Sequence, residues 1–305
     1  MAESRASVRT PTAASAPGIS APSSPGLGRA LALAGVVLWL ASFVVLAVAS
    51  PEGLRQSTDP GSASTPLWVI VLPVAAAIPL IRMLPRTTPA LPPLVADRRM
   101  VRRSTAALLA CALVFTLLVR VTEASATGWY LVAKVVVLIT VPAVLVWRSR
   151  SAISIPGATQ PWQWWPPIVV VAVWTWLSQA APWIQEPSFD GVDVVFLVVV
   201  ASLTALTAGV GEELFFRRWL QSRLESQFGR WGGIALASLA FALMHLSSDR
   251  QESSPVVEIA AVIVVQGSFG AMLGYLWSKY RNLWVVIAAH LVVNGYAVVG
   301  YLVAG

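Results

Sequence analysis

Glu212 and Glu213 stand side by side at the end of an apolar stretch and are followed by Leu-Phe-Phe-Arg217. The chain's two histidines also lie inside apolar runs, as Phe241-Ala-Leu-Met-His245 and His290-Leu-Val-Val-Asn294. An ionisable side chain at membrane depth is costly, about 2.5–3.5 kcal/mol for Arg, Lys or Asp at a helix centre, so its default meaning is functional. Two imidazoles and a carboxylate pair are the groups that activate water for hydrolysis. On a helix, Glu213 and Arg217 are four apart with the acid first, which is the favourable order for an ion pair. Glu212 points about 100° away and has no partner at that spacing, so it is expected to stay free and face a cavity as a general base. Phe241 shares a face with His245, and Asn294 shares one with His290, where it could orient the ring or donate to an oxyanion. Taken singly, each group has an ordinary structural explanation: interfacial charges, a packed histidine, an interhelical asparagine. Their occurrence together argues for a site.

Those residues need helices that cross a bilayer, and the composition supplies them. The chain of 305 residues is 57% hydrophobic and 11% charged, against about 25% charged in an ordinary soluble domain. Mean hydropathy is +0.73. Runs of about 20 apolar residues can span the hydrocarbon core. They fall near 30–50, 66–84, 104–120, 129–147, 164–182, 192–211, 231–247, 255–277 and 283–304, which predicts an all-α polytopic bundle of about eight to nine spans with a polar intramembrane cavity. Residues 1–28, rich in Ser, Ala, Pro and Gly, read as a disordered tail. A group of N-terminal spans is expected over 29–190 and the chemistry-bearing core over 191–305.

Loop charges set the topology. Arginines crowd 82–103, the pair Arg148 and Arg150, the stretch 217–230, and Lys279 with Arg281, whereas the alternate loops are acidic or balanced. The positive-inside rule then puts the N-terminus in the cytoplasm. The same distribution excludes a nucleic-acid footprint, because the net charge of +7 is dispersed among short loops. Cys111 is alone, which excludes an intrachain disulfide. Lys134, within the fourth span, is expected to snorkel or to be paired, with a relay role as the alternative. Gln266 and Ser268 could line the same cavity or join helices by hydrogen bonds.

The order Glu-Glu-x-x-x-Arg, Phe-x-x-x-His, His-x-x-x-Asn on successive helices resembles the CPBP family of intramembrane proteases, related to the type II CAAX prenyl endopeptidases and to bacteriocin-immunity proteins. The matching residues are Glu212, Glu213, Arg217, Phe241, His245, His290 and Asn294, within about 192–300. The resemblance implies an intramembrane endopeptidase acting on a membrane-associated protein or peptide. It implies Glu212 as the base that activates water, assisted by His245. His290 and Asn294 would stabilise the oxyanion, and Glu213 with Arg217 would support the helix. Glu212, His245 and His290 also form a two-histidine, one-carboxylate set for a divalent metal such as Zn2+, with Glu213 then the base. The metal-free assignment is preferred, because no His-x-x-x-His pair preorganises two ligands on one helix. A transporter or proton-relay protein and a non-catalytic immunity protein are the alternatives from other classes. The Arg-over-Lys, Ala- and Val-rich composition suggests a bacterial cell membrane.

These spans carry a geometric conflict. If the sixth ends at residue 211, Glu212 sits at one membrane surface and His245 near the other. Two resolutions are available. Gly209 and Gly211 could break the helix so that the glutamates re-enter the membrane, or the sixth span runs deeper, with Arg217 and Arg218 snorkelling.

Overall fold

The computed structural model describes residues 24–55, 64–86, 92–155, 164–185, 189, 191–247 and 254–304. The expected disordered tail lies outside them as far as residue 23, and from Pro25 the chain is already helical. Helices follow in order: α1 Pro25–Ala49, α2 Leu67–Met83, α3 Arg98–Thr122, α4 Trp129–Arg148, α5 165–180, α6 194–228, α7 230–247, α8 Pro255–Tyr280 and α9 Leu283–Ala304. The strands among the described residues are two-residue antiparallel pairings, Leu54–Arg55 with Ser64–Thr65 and Leu94–Val95 with Ile153–Ser154.

Six helical stretches are long and apolar enough to cross a membrane, and α2 is a shorter apolar helix interrupted by Pro73 and Pro79. One of the six runs 54 residues, Val194–Ser247. Straight, it would measure about 80 Å, far more than a hydrocarbon core of about 30 Å. It turns instead at Gly229, where φ is 76° and ψ 174°, a conformation that glycine alone adopts without strain. This corner divides α6 from α7. The protein is an all-α, multi-pass integral membrane bundle.

The loops sort onto two ends. At one, Ser24 N donates to Gln227 O, Ala96 N donates to Ala152 O, Arg223 reaches Ser104 and Ser149, and Lys279 Nζ reaches the carbonyls of Ile81 and Leu84. These are the segments whose basic residues the positive-inside rule groups together. At the other end, Arg120 pairs with Glu258 at 2.7 Å, Trp68 and Trp176 meet Trp183, and Phe189 meets Tyr301. Trp174 is buried and stacks on Phe269, because it faces the core side of α5.

The sixth span does not end at residue 211. α6 continues through both glutamates to Phe228, with wide i→i+5 turns over Ala205–Glu212 and Leu214–Gln221, so Glu212 lies near its middle. An apolar window stops at charged residues, but these charges are paired within the bundle and give the helix no reason to end. Arg217 accordingly does not snorkel: it is fully buried.

Gly209 and Gly211 do not break the helix either. They are the places where neighbours come closest. A Cβ on Gly209 would meet Leu291 Cδ2 at 2.4 Å, and one on Gly211 would meet Ile139 Cδ1 at 2.7 Å. The first draws in α9 beside His290, and the second draws in α4 beside Lys134. Gly209→Val is therefore expected to cost about 1–3 kcal/mol through overpacking. Thermal unfolding in detergent reads this directly, and an unshifted midpoint would contradict so close an approach.

Candidate active site

Five ionisable groups from three helices form a continuous chain through the bundle. Lys134 Nζ, from α4, donates to Glu212 Oε1 at 2.6 Å. Glu212 Oε2 faces His290 Nε2, from α9, at 3.9 Å. His290 Nδ1 lies 2.7 Å from Glu213 Oε1, and Arg217 Nε donates to the other oxygen of Glu213 at 3.0 Å. Glu213 and Arg217 are fully buried, and Glu212, Lys134 and His290 nearly so. Two ammonium or guanidinium charges therefore balance two carboxylates, which is how an apolar interior tolerates such groups.

The expected Glu213–Arg217 pair is present. The isolation of Glu212 is not: its partner is Lys134, from a helix distant in sequence. Spacing along one helix cannot show a partner on another. A usable signal did exist, because a lysine inside a span calls for a carboxylate, and Glu212 was the glutamate without a partner on its own helix.

His290 is oriented by Glu213 rather than by Asn294. With Nδ1–H donated to Glu213, Nε2 is the atom turned towards Glu212; a carboxylate in that place sets both ring tautomer and ring angle. Asn294 is exposed and makes no hydrogen bond to His290 among the described residues. His245 Nδ1 is bonded to the carbonyl of Phe241 at 2.8 Å, a local contact within its own helix turn that leaves Nε2 as its other ring nitrogen. Both histidines lie within electrostatic reach of Glu212.

Phe241 is the wall between them. Its ring packs edge-on against His245 at 4.7 Å and against His290 at 6.0 Å, and the Arg217 guanidinium stacks 4.9 Å above it. Phe216 closes a third side at 5.2 Å. Of the other polar groups at depth, Ser268 accepts from Trp39 Nε1 at 2.7 Å and joins α1 to α8. Gln266 keeps a buried, unpartnered Oε1. Three further atoms are buried where the chemistry would fall, with no hydrogen-bond partner among the described residues: Glu212 Oε2 and the two terminal nitrogens of Arg217.

The metal alternative required Glu212, His245 and His290 to converge on one ion. Among the described residues no three His, Cys, Asp or Glu side chains gather as a metal-holding group. The Lys134 ammonium already occupies one oxygen of Glu212, so these three side chains do not fit a shared ion.

The bundle thus holds a buried, charge-balanced carboxylate–imidazole array within a multi-pass membrane protein. Residues 194–296 match the model of the type II CAAX prenyl endopeptidase Rce1-like family, so this segment is similar to those membrane proteases. No curated protein and no solved structure matches the chain. The matched segment holds Glu212, Glu213, Arg217, His245, His290 and Asn294; Lys134 lies outside it.

Proposed function

We propose that this chain is an intramembrane endopeptidase that hydrolyses a peptide bond of a membrane-associated protein or peptide, with its N-terminus on the cytoplasmic side. One observation carries this: the unpartnered Oε2 of Glu212 and Nε2 of His290 face each other at 3.9 Å, each held from behind by an ionic partner. A water donating to Glu212 Oε2 would be aimed by both groups. As it attacks the peptide carbonyl, its proton passes to Glu212, the C–O bond forms and the carbonyl oxygen becomes the oxyanion. A proton on His290 Nε2 would be donated to that oxyanion, while Nδ1–H stays on Glu213 and keeps the ring aimed. Asn294 is a second donor once substrate is seated. The tetrahedral intermediate then expels the amine, which takes the proton back from Glu212 with His245 assisting.

The test is cleavage of a membrane-peptide library by the full chain purified in detergent. His290→Ala should lower kcat/KM by about 10²–10³, the effect of losing one oxyanion donor. Undiminished turnover by this variant would refute the assignment.

Lys134 is a positioning residue within this scheme. It fixes one oxygen of Glu212 and thereby directs the other. Lys134→Met should lower kcat with little change in KM, and Lys134→Arg should restore a large part of the loss, since the guanidinium keeps the charge. A merely structural lysine would move neither ratio selectively. Equal kcat in Lys134→Met and the parent would show that Glu212 does not need this contact.

A further inference from the structure

Away from the glutamates, at the end of the bundle where the basic loops meet, a cavity of about 490 Å³ opens between the end of α2, the Gly229 corner and the end of α8. Five cationic side chains line it, Arg82, Arg86, Arg230, Lys279 and Arg281, against one carboxylate, Glu225. Glu225 follows Glu212 by thirteen residues on one helix, roughly 20 Å along the axis, so this is a separate place.

The cations are built in rather than dangling. Arg281 sits in the left-handed region at φ 51°, just past α8, and is only 5% exposed. Its Nη2 pairs with Glu225, whose other oxygen accepts from Gln221 at 2.8 Å. Its Nε and Nη1 are buried with no hydrogen-bond partner among the described residues. Arg86 donates Nη1 to the carbonyl of Lys279, yet its Nε is likewise buried and unpartnered. Arg230 is anchored by Ser278, with Nε 3.0 Å from Oγ. A backbone carbonyl and a serine hold Arg86 and Arg230 in place without neutralising them, and Glu225 offsets only the charge of Arg281. The Arg86 guanidinium, which lies in the loop after α2, is pushed down to about 10 by burial and by the neighbouring charges of Arg281 and Arg230.

Buried donors without acceptors are costly, the more so when charged, and a protein that converges several of them on one cavity is complementary to an anion. Guanidinium forks match phosphate oxygens two at a time. We infer that this cavity is a binding site for a phosphate-bearing ligand, seated between Arg86, Arg230 and Arg281 on the basic face of the bundle. The phosphate belongs either to an anionic lipid headgroup, which lies at this level of a membrane, or to a soluble phosphate compound.

Thermal unfolding and native mass spectrometry of the full chain in a neutral detergent distinguish the sources. The probes are short-chain phosphatidylglycerol, inorganic phosphate, and short-chain phosphatidylcholine as the zwitterionic control. A lipid site is stabilised saturably by phosphatidylglycerol and not by phosphate; a soluble-ligand site is stabilised by phosphate as well. In either case Arg86→Gln combined with Arg230→Gln should weaken the response at least tenfold, and this pair leaves the Glu225–Arg281 contact intact. Should the double variant fold poorly, Arg230→Gln alone, at an exposed position, should still weaken it severalfold. No stabilisation by either anion, an equal response to phosphatidylcholine, or variants that respond like the parent would each overturn the inference.

Discussion

Glu212→Gln is expected to lower kcat/KM by about 10²–10⁴ while the protein still folds. The amide keeps an oxygen for Lys134, so the contact made at 2.6 Å survives in neutral form. What it loses is the ability to accept a proton at Oε2, the atom that faces His290. The substitution does leave a buried ammonium without a counter-charge, so some loss of stability accompanies it. Glu212→Gln with Lys134→Met removes that complication, because it exchanges the ion pair for neutral groups. The double variant should regain thermal stability and remain inactive. Cleavage by either variant at the parent rate, measured on the same membrane peptides, would refute Glu212 as the base.

The second large effect concerns folding. Arg217→Met should destabilise the protein by about 3–5 kcal/mol, the usual result of removing one partner from a buried ion pair. Glu213 would retain only the imidazole of His290, and the stacked contact over Phe241 would also go. Glu213→Gln alone should destabilise comparably, because it leaves the buried Arg217 guanidinium without a counter-charge, and it should also impair turnover because His290 loses its orienting carboxylate. Combining Glu213→Gln with Arg217→Met should recover much of the stability, since no unbalanced charge then remains. Thermal unfolding midpoints in one detergent, compared across the three variants, test this ordering. An Arg217→Met protein as stable as the parent would show that the pair contributes nothing to the bundle.

Between these two predictions lies a division of labour between adjacent glutamates. Their one-residue offset turns them about 100° apart, so the helix presents Glu213 to Arg217 and the far side of His290, and Glu212 to Lys134 and its near side. Helical periodicity read from the sequence anticipated the first of these pairings and the face shared by Phe241 and His245. It also separated the two carboxylates correctly in direction. It erred on where α6 ends, because hydropathy registers Glu212, Glu213 and Arg217 as polar and cannot register that they neutralise partners indoors.

The class of the protein was legible from the chain alone, for a physical reason. Bilayer thickness and the hydrogen-bonding demand of the backbone leave long apolar helices as the solution for such a composition, and loop charge then sorts their ends. The local pairs at four-residue spacing were legible for the same kind of reason, since they depend on one helix. Contacts between helices obey no such period. That Lys134 meets Glu212, that Glu213 rather than Asn294 holds His290, and that Gly209 and Gly211 are points of approach rather than breaks follow from which helices lie side by side and how closely. Packing in three dimensions decides that, and it turned a set of costly residues into a connected site.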